Sequence, residues 1–227
     1  MKLFLDTADT TIIEEKFSTG LIDGVTTNPT LILKSGLDPE DVYQRLVDMN
    51  IPDISMEVVG SYEEMKEEAY RLVDKFGNRQ TTIKVPCTPD GLRLCYDLNN
   101  RGVRVNVTLI FSLAQAILSA KAGAYYVSPF VGRYDDNSVS GLELIRSISE
   151  TFRIQGVKTQ VLAASLRDVY KVSRCFYNGA EVVTMPPAIF DKMYKHVLTD
   201  SGLDLFDKDY NATIAMLSET VGTTTTD

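Results

Sequence analysis

A single histidine, His196, is the chain's whole supply of imidazole. A His-ligated metal site or a Ser-His-Asp triad would have to rest on that one residue. It falls in a late helical stretch, where it reads as surface or packing. Cysteine is scarce too. Cys87, Cys95 and Cys175 are odd in number and form no CxxC pair. With no signal peptide they read as reduced thiols of a cytoplasmic protein. Basic residues are outnumbered, 23 Lys+Arg against 31 Asp+Glu, for a net charge of −8. That average field turns away nucleic acid and anionic membrane, and leaves room only for a local basic site that holds a phosphate. No apolar run is long enough to span a bilayer. No glycine-rich phosphate loop follows the first strand, which weighs against an open doubly wound sheet.

What is present is regular alternation. The chain has 227 residues, 44% of them hydrophobic, enough for one well-buried core. Strands are predicted at 2–6, 24–29, 54–59, 81–86, 103–109, 125–130, 159–164 and 181–185. Helix signals stand between them. Asp38-Pro39 and Thr88-Pro89 each offer a cap followed by a first-turn proline. Ser61 with Glu64 spells a capping box, and Ser112 with Gln115 repeats it. Residues 132–140 read as a polar loop, 141–155 and 167–177 as helices, and a last helix as running to about Thr199. Eight strand–helix units predict a single (β/α)8 TIM barrel of the α/β class over residues 1–202. An apolar-patterned segment, 203–221, is predicted as an additional C-terminal helical arm, and 222–227 as a disordered tail.

One strand carries an unusual residue. Thr81-Thr82-Ile83-Lys84-Val85-Pro86 is a β-branched run with a lysine inside it and a proline at its end. A buried ammonium is costly to desolvate, and a lysine that sheds its proton is a nucleophile toward carbonyls. Alternation along the strands gathers further polar groups around it. Ile83 and Val85 oppose Thr82 and Lys84, Leu3 and Leu5 oppose Phe4 and Asp6, and Val25 opposes Thr26 and Asn28. Ile54, Met56 and Val58 oppose Ser55 and Glu57. Val103, Val105, Val107 and Leu109 oppose Arg104, Asn106 and Thr108. Tyr125 and Val127 oppose Ser128 and Phe130, and Leu162 and Ala164 oppose Ala163 and Ser165. The polar member nearest each strand's C-terminal end thus falls on the inward face, where barrels carry their active sites. Thr82, Ser55 and Arg104 read instead as a structural network.

The stretches that hold these residues resemble the transaldolase family, in its short-chain branch with the fructose-6-phosphate aldolases. They are Phe4-Leu5-Asp6-Thr7-Ala8, Val25-Thr26-Thr27-Asn28-Pro29-Thr30, Ile83-Lys84-Val85-Pro86, Asn106-Val107-Thr108-Leu109-Ile110-Phe111-Ser112, Ser128-Pro129-Phe130-Val131-Gly132-Arg133 and Ala164-Ser165-Leu166-Arg167. Each alone is weak; the set, in the family's order, is specific. The resemblance implies a (β/α)8 barrel, a Schiff-base lysine, and no cofactor or metal. It also implies ketose and aldose phosphates as substrates, and a homo-oligomer (pentamer rings and decamers) with a C-terminal helix reaching a neighbour.

Residue by residue, the resemblance makes Lys84 the Schiff-base lysine, Asp6 the acid–base carboxylate, and Glu57 the carboxylate that shuttles protons through a water. It makes Asn28 and Asn106 the grip on the dihydroxyacetone unit, with Thr26 beside them, and Thr108 the holder of the water. Ser128 and Phe130 line the pocket, and Arg133, Ser165 and Arg167 take the phosphate. In the aldolase branch the positions of Glu57 and Phe130 are typically glutamine and tyrosine, so glutamate and phenylalanine imply a transaldolase rather than a lyase.

Overall fold

The computed structural model describes residues 1–222, with side chains as far as Ser218. Of the tail expected at 222–227, Gly222 is described and ends the last helix; the rest lies outside the described residues. Contacts divide the chain into two compact units, Met1–Phe190 and a second beginning at Asp191.

In the first unit, eight parallel strands close into a barrel in sequence order, β8 pairing with β1. They are β1 (Lys2–Asp6), β2 (Gly24–Thr26), β3 (Ile54–Glu57), β4 (Thr81–Pro86), β5 (Arg104–Ile110), β6 (Tyr126–Pro129), β7 (Gln160–Ala163) and β8 (Val182–Met185). The helices are α1 (Thr10–Phe17), α2 (Pro29–Ser35), α3 (Pro39–Asp48), α4 (Tyr62–Phe76), α5 (Pro89–Asn99), α6 (Leu113–Lys121), α7 (Val131–Asp135), α8 (Gly141–Gln155), α9 (Val169–Tyr177) and α10 (Pro187–Lys192). The second unit is mainly α11 (Val197–Gly222).

Cap chemistry sets the helix starts. Asp38 and Thr88 hold the first turns of α3 and α5 ahead of their prolines. Ser61 and Glu64 bond reciprocally at the head of α4, satisfying two amides that have no partner within the helix. Ser112 caps α6, but Gln115 turns its side-chain oxygen to the Phe111 N–H instead of closing the box.

Most of the buried apolar surface lies between the strands and the helices. A smaller cluster fills the barrel axis: Phe4, Tyr126, Leu162, Ala164 and Val182. Phe4 packs edge-on against Tyr126, centroids 6.1 Å apart. Beside this plug, toward the strands' N-terminal ends, Asp53 collects the Thr82 hydroxyl at 2.8 Å, Arg104 at 2.9 Å and the Tyr126 hydroxyl at 3.0 Å. Burial pushes the Asp53 carboxyl up, with Arg104 opposing it. Thr82 and Arg104 thus meet on Asp53, while Ser55, expected in the same network, accepts from Asn106 instead.

Five expectations are corrected. In β7 it is Leu162 and Ala164 that face the axis, while Ala163 packs outward. Ser165 has φ +59°, so the alternation stops before it and its parity says nothing about its neighbours. In β5 a register shift between Val107 and Ile110, with Leu109 at φ +61°, puts Ile110 rather than Leu109 in the outer core. The strand expected at 24–29 ends at Thr26, because Asn28 and Pro29 open the short helix α2. The loop expected at 132–140 begins with α7, and the helix expected to end near Thr199 is two, α10 and α11.

Candidate active site

The register of neighbouring strands lays the charged residues side by side. Glu57 pairs with Lys84 and Lys84 with Asn106 across β3, β4 and β5. Lys84 is 4% exposed. Its Nζ lies 3.0 Å from Glu57 Oε2 and donates to the Thr27 carbonyl at 2.9 Å. One ammonium proton is thereby committed to a hydrogen bond, and the charge is paired with Glu57. Ile83 and Val85, on the other face, are fully buried in the outer core and hold the strand in place.

At the C-terminal ends of the strands lies a cavity of about 90 Å³. Lys84, Asp6, Thr26, Asn28 and Thr108 line it, and so do Ser128, Phe130, Arg133 and Ser165. Asp6 comes from β1, and burial pushes its carboxyl up; Lys84, a Thr26 hydrogen bond and Arg133 pull the other way. Asn28 caps α2 with its side-chain oxygen, which accepts from the Leu31 N–H at 3.0 Å. Its amide donors are what it has left to offer the cavity.

Ser128 donates to Asn106 Oδ1 at 2.7 Å, and Asn106 Nδ2 reaches Ser55 Oγ at 3.3 Å. Asn106 is fully buried behind that wall. The Thr108 hydroxyl is buried with no hydrogen-bond partner among the described residues. A buried hydroxyl in that state costs free energy until something bonds it, and this one faces the cavity.

The rim is made by α7. Its Arg133 is exposed and lies over the Phe130 ring, 5.0 Å from the centroid. Gly132 lets that helix approach Ser165: its N–H bonds the Ser165 carbonyl at 3.0 Å, and a Cβ there would sit 2.3 Å from the same oxygen. Besides Asn106, two expected residues stand apart. Glu57 borders a separate cleft along α2, with Tyr43, Leu37 and Val58, and so forms the wall behind Lys84. Arg167 is exposed and forks onto both carboxylate oxygens of Asp136.

Sequence reasoning missed Thr184 and Ala164, which also line the cavity. Thr184 carries a related signal, one polar residue in an apolar strand, Val182-Val183-Thr184-Met185. The missed Asp53 stands just ahead of β3, on the parity of Ser55 and Glu57.

A closed (β/α)8 barrel with a lysine–carboxylate pair, a second carboxylate and a cationic rim at its C-terminal end is the architecture of a barrel enzyme. Residues 3–224 match the family model described as Transaldolase/Fructose-6-phosphate aldolase. The chain is 49% identical to a probable transaldolase of Paracoccus denitrificans over 94% of this chain and 98% of that one. It is 46% identical to a probable transaldolase of Cereibacter sphaeroides over 94% and 97%, and 47% to one of a Caulobacter species over 94% and 98%. The chain belongs to the transaldolase/fructose-6-phosphate aldolase family.

Proposed function

We propose that the protein is a transaldolase, a transferase that moves a dihydroxyacetone unit from sedoheptulose 7-phosphate to glyceraldehyde 3-phosphate and back, in the non-oxidative pentose phosphate pathway. The observation that carries this reading is that Lys84 lines the cavity with Glu57 paired to it from behind. The amine of Lys84 attacks the C2 ketone. The carbinolamine loses water with Glu57 passing a proton through a water that Thr108 holds. Asp6 takes the proton of the C4 hydroxyl as the C3–C4 bond breaks, and the aldose phosphate leaves. Lys84 keeps the three-carbon enamine, which then adds to the incoming aldehyde as Asp6 returns the proton. Asn28 and Asn106 hold the enamine's hydroxyls. Arg133 and Ser165 grip the phosphate, and Arg167 joins them once released from Asp136.

Glutamate at 57 and phenylalanine at 130 support transfer over release. The test is to compare transfer from fructose 6-phosphate to erythrose 4-phosphate with release of free dihydroxyacetone. Transfer is expected to dominate; equal rates would make the protein a fructose-6-phosphate aldolase. Borohydride reduction after incubation with fructose 6-phosphate should add the mass of the bound sugar unit, and Lys84→Ala should abolish it.

We also propose that the enzyme works as a homo-oligomer, a pentamer or decamer, in the cytoplasm. Exposed apolar side chains along α11 support the first. Three free cysteines support the second. No helix among the described residues is long and apolar enough to cross a membrane.

A further inference from the structure

Beside Asp6 the barrel presents a hydroxyl that none of these steps uses. Thr184 on β8 and Thr26 on β2 flank β1, the strand that carries Asp6. Both are 2% exposed, and their Oγ1 atoms meet at 2.7 Å. Thr26 Oγ1 also lies 2.8 Å from Asp6 Oδ1. Each hydroxyl has one proton to give, and an ionised carboxylate only accepts. The Thr26 proton therefore points at Oδ1. The contact between the threonines is then a hydrogen bond only with Thr184 as donor.

We infer that Thr184 is a positioning residue of the active site: it donates to Thr26, fixes the Thr26 proton on Asp6 Oδ1, and leaves Oδ2 as the oxygen that takes the substrate's proton. No other partner of the Thr184 hydroxyl is found among the described residues. The charged groups that act on Asp6 are Lys84 from β4 and Arg133 from α7. Both favour the carboxylate, as does the Thr26 hydrogen bond, against a burial that disfavours it. A donor behind Thr26 polarises that bond and strengthens it. The chain Thr184–Thr26–Asp6 favours the ionised carboxylate and orients it without placing another cation in the cavity.

The inference rests on reading Asp6 as the base, so the experiment separates the two. The pH profile of kcat/KM is measured for the native enzyme, Thr184→Val and Thr184→Ser. Valine keeps the shape and removes the donor. Its acidic limb should move up by about half a pH unit, and serine should bring the limb back. Borohydride trapping with fructose 6-phosphate needs Lys84 but no C3–C4 cleavage, and should run at the native rate in Thr184→Val. A limb that stays or moves down, a serine variant that fails to restore it, or trapping that slows in step with turnover would each overturn the inference. Asp6→Asn tests the underlying reading. If it turns over like the native enzyme, the assignment of the base fails. If it is trapped without turning over while Thr184→Val is silent, only the role of Thr184 fails.

Discussion

Lys84 and Glu57 are register neighbours on β4 and β3, and their charged ends meet 3.0 Å apart with side chains only 6% and 10% exposed. Neither charge is screened by bulk water, so neither tolerates loss of the other. In the proposed function the pair is the nucleophile with its proton shuttle; in the fold it is a stability hazard.

Lys84→Met should therefore do two things. Transfer should fall by at least about 1,000-fold, since no covalent intermediate forms. Stability should drop by about 3 kcal/mol, because Glu57 is left without a counter-charge. Adding Glu57→Gln should recover most of that stability and none of the activity. Denaturant melts of the two single variants and the double variant, together with borohydride mass shifts, measure both. Additive losses in the double variant would contradict the coupling.

Asp6 gives the opposite trade. Burial, its largest influence, raises its carboxyl, with Lys84 as the main opposing influence. A raised carboxyl binds protons more tightly folded than unfolded. Its contribution to stability is thus greatest when protonated, and falls as pH rises from the unfolded value through the raised folded one. Asp6→Asn mimics the protonated form. It should melt higher than the native enzyme near pH 7.5, with the gap closing as pH falls through the raised value. Turnover should drop by roughly 100- to 10,000-fold. A melting gap that widens toward acid would contradict the sign.

The barrel and most of the candidate site are legible in the chain because one rule, alternation, governs both. It puts Asp6, Thr26, Lys84, Thr108 and Ser128 on the cavity side from the sequence alone. The rule fails where the backbone leaves the extended region. Ser165 and Leu109 both sit at positive φ, and only tertiary contacts decide where the chain goes next. Helix α7 reads as loop in the sequence for a related reason. It has no side-chain cap and is only five residues long, so neither of the usual start signals nor a full apolar stripe marks it. The pairing of Arg167 with Asp136 joins two loops 31 residues apart, a distance at which sequence offers candidates but no choice among them.

Asp53 predicts a variant that harms the fold and spares the chemistry. Both of its oxygens accept from donors: Thr82 on one, Arg104 and Tyr126 on the other. Asp53→Ala orphans two buried hydroxyls and should cost about 3 kcal/mol. Asp53→Asn should also destabilise, because its amide protons face donors. For both, kcat of the folded fraction should stay within about twofold. A large kcat loss at full folding would mean the network reaches the site.

The two arginines should separate. Arg133 lines the cavity, whereas Arg167 is already forked onto Asp136. Arg133→Ala should raise KM for fructose 6-phosphate by roughly 10- to 100-fold, the worth of a charge-assisted pair. It should change KM far less for an acceptor without phosphate. Arg167→Ala should raise KM less, since binding through it first breaks an ion pair. Asp136→Ala removes that competition and should lower KM. If Asp136→Ala raises KM instead, the Asp136 pair holds the loop for substrate rather than competing with it.

Along α11 the apolar residues Leu198, Leu205, Phe206, Ile214 and Leu217 are between 46% and 71% exposed. Single exposed apolar residues are ordinary, but a run of them along one helix marks a surface that another protein covers. Burying side chains of this size is worth about 1.5–3 kcal/mol each. In the proposed oligomer, one such helix per subunit can therefore hold the assembly together. Light scattering of the full chain should give a multiple of the 25.2 kDa subunit mass. A chain ending at Gly202, which lacks Leu205, Phe206, Ile214 and Leu217, should fall to a smaller assembly or a monomer while keeping the barrel's circular dichroism per residue. If the shortened chain scatters as the same oligomer, the barrels themselves carry the interface and α11 serves another purpose. If the full chain is itself a monomer, the oligomer proposal fails.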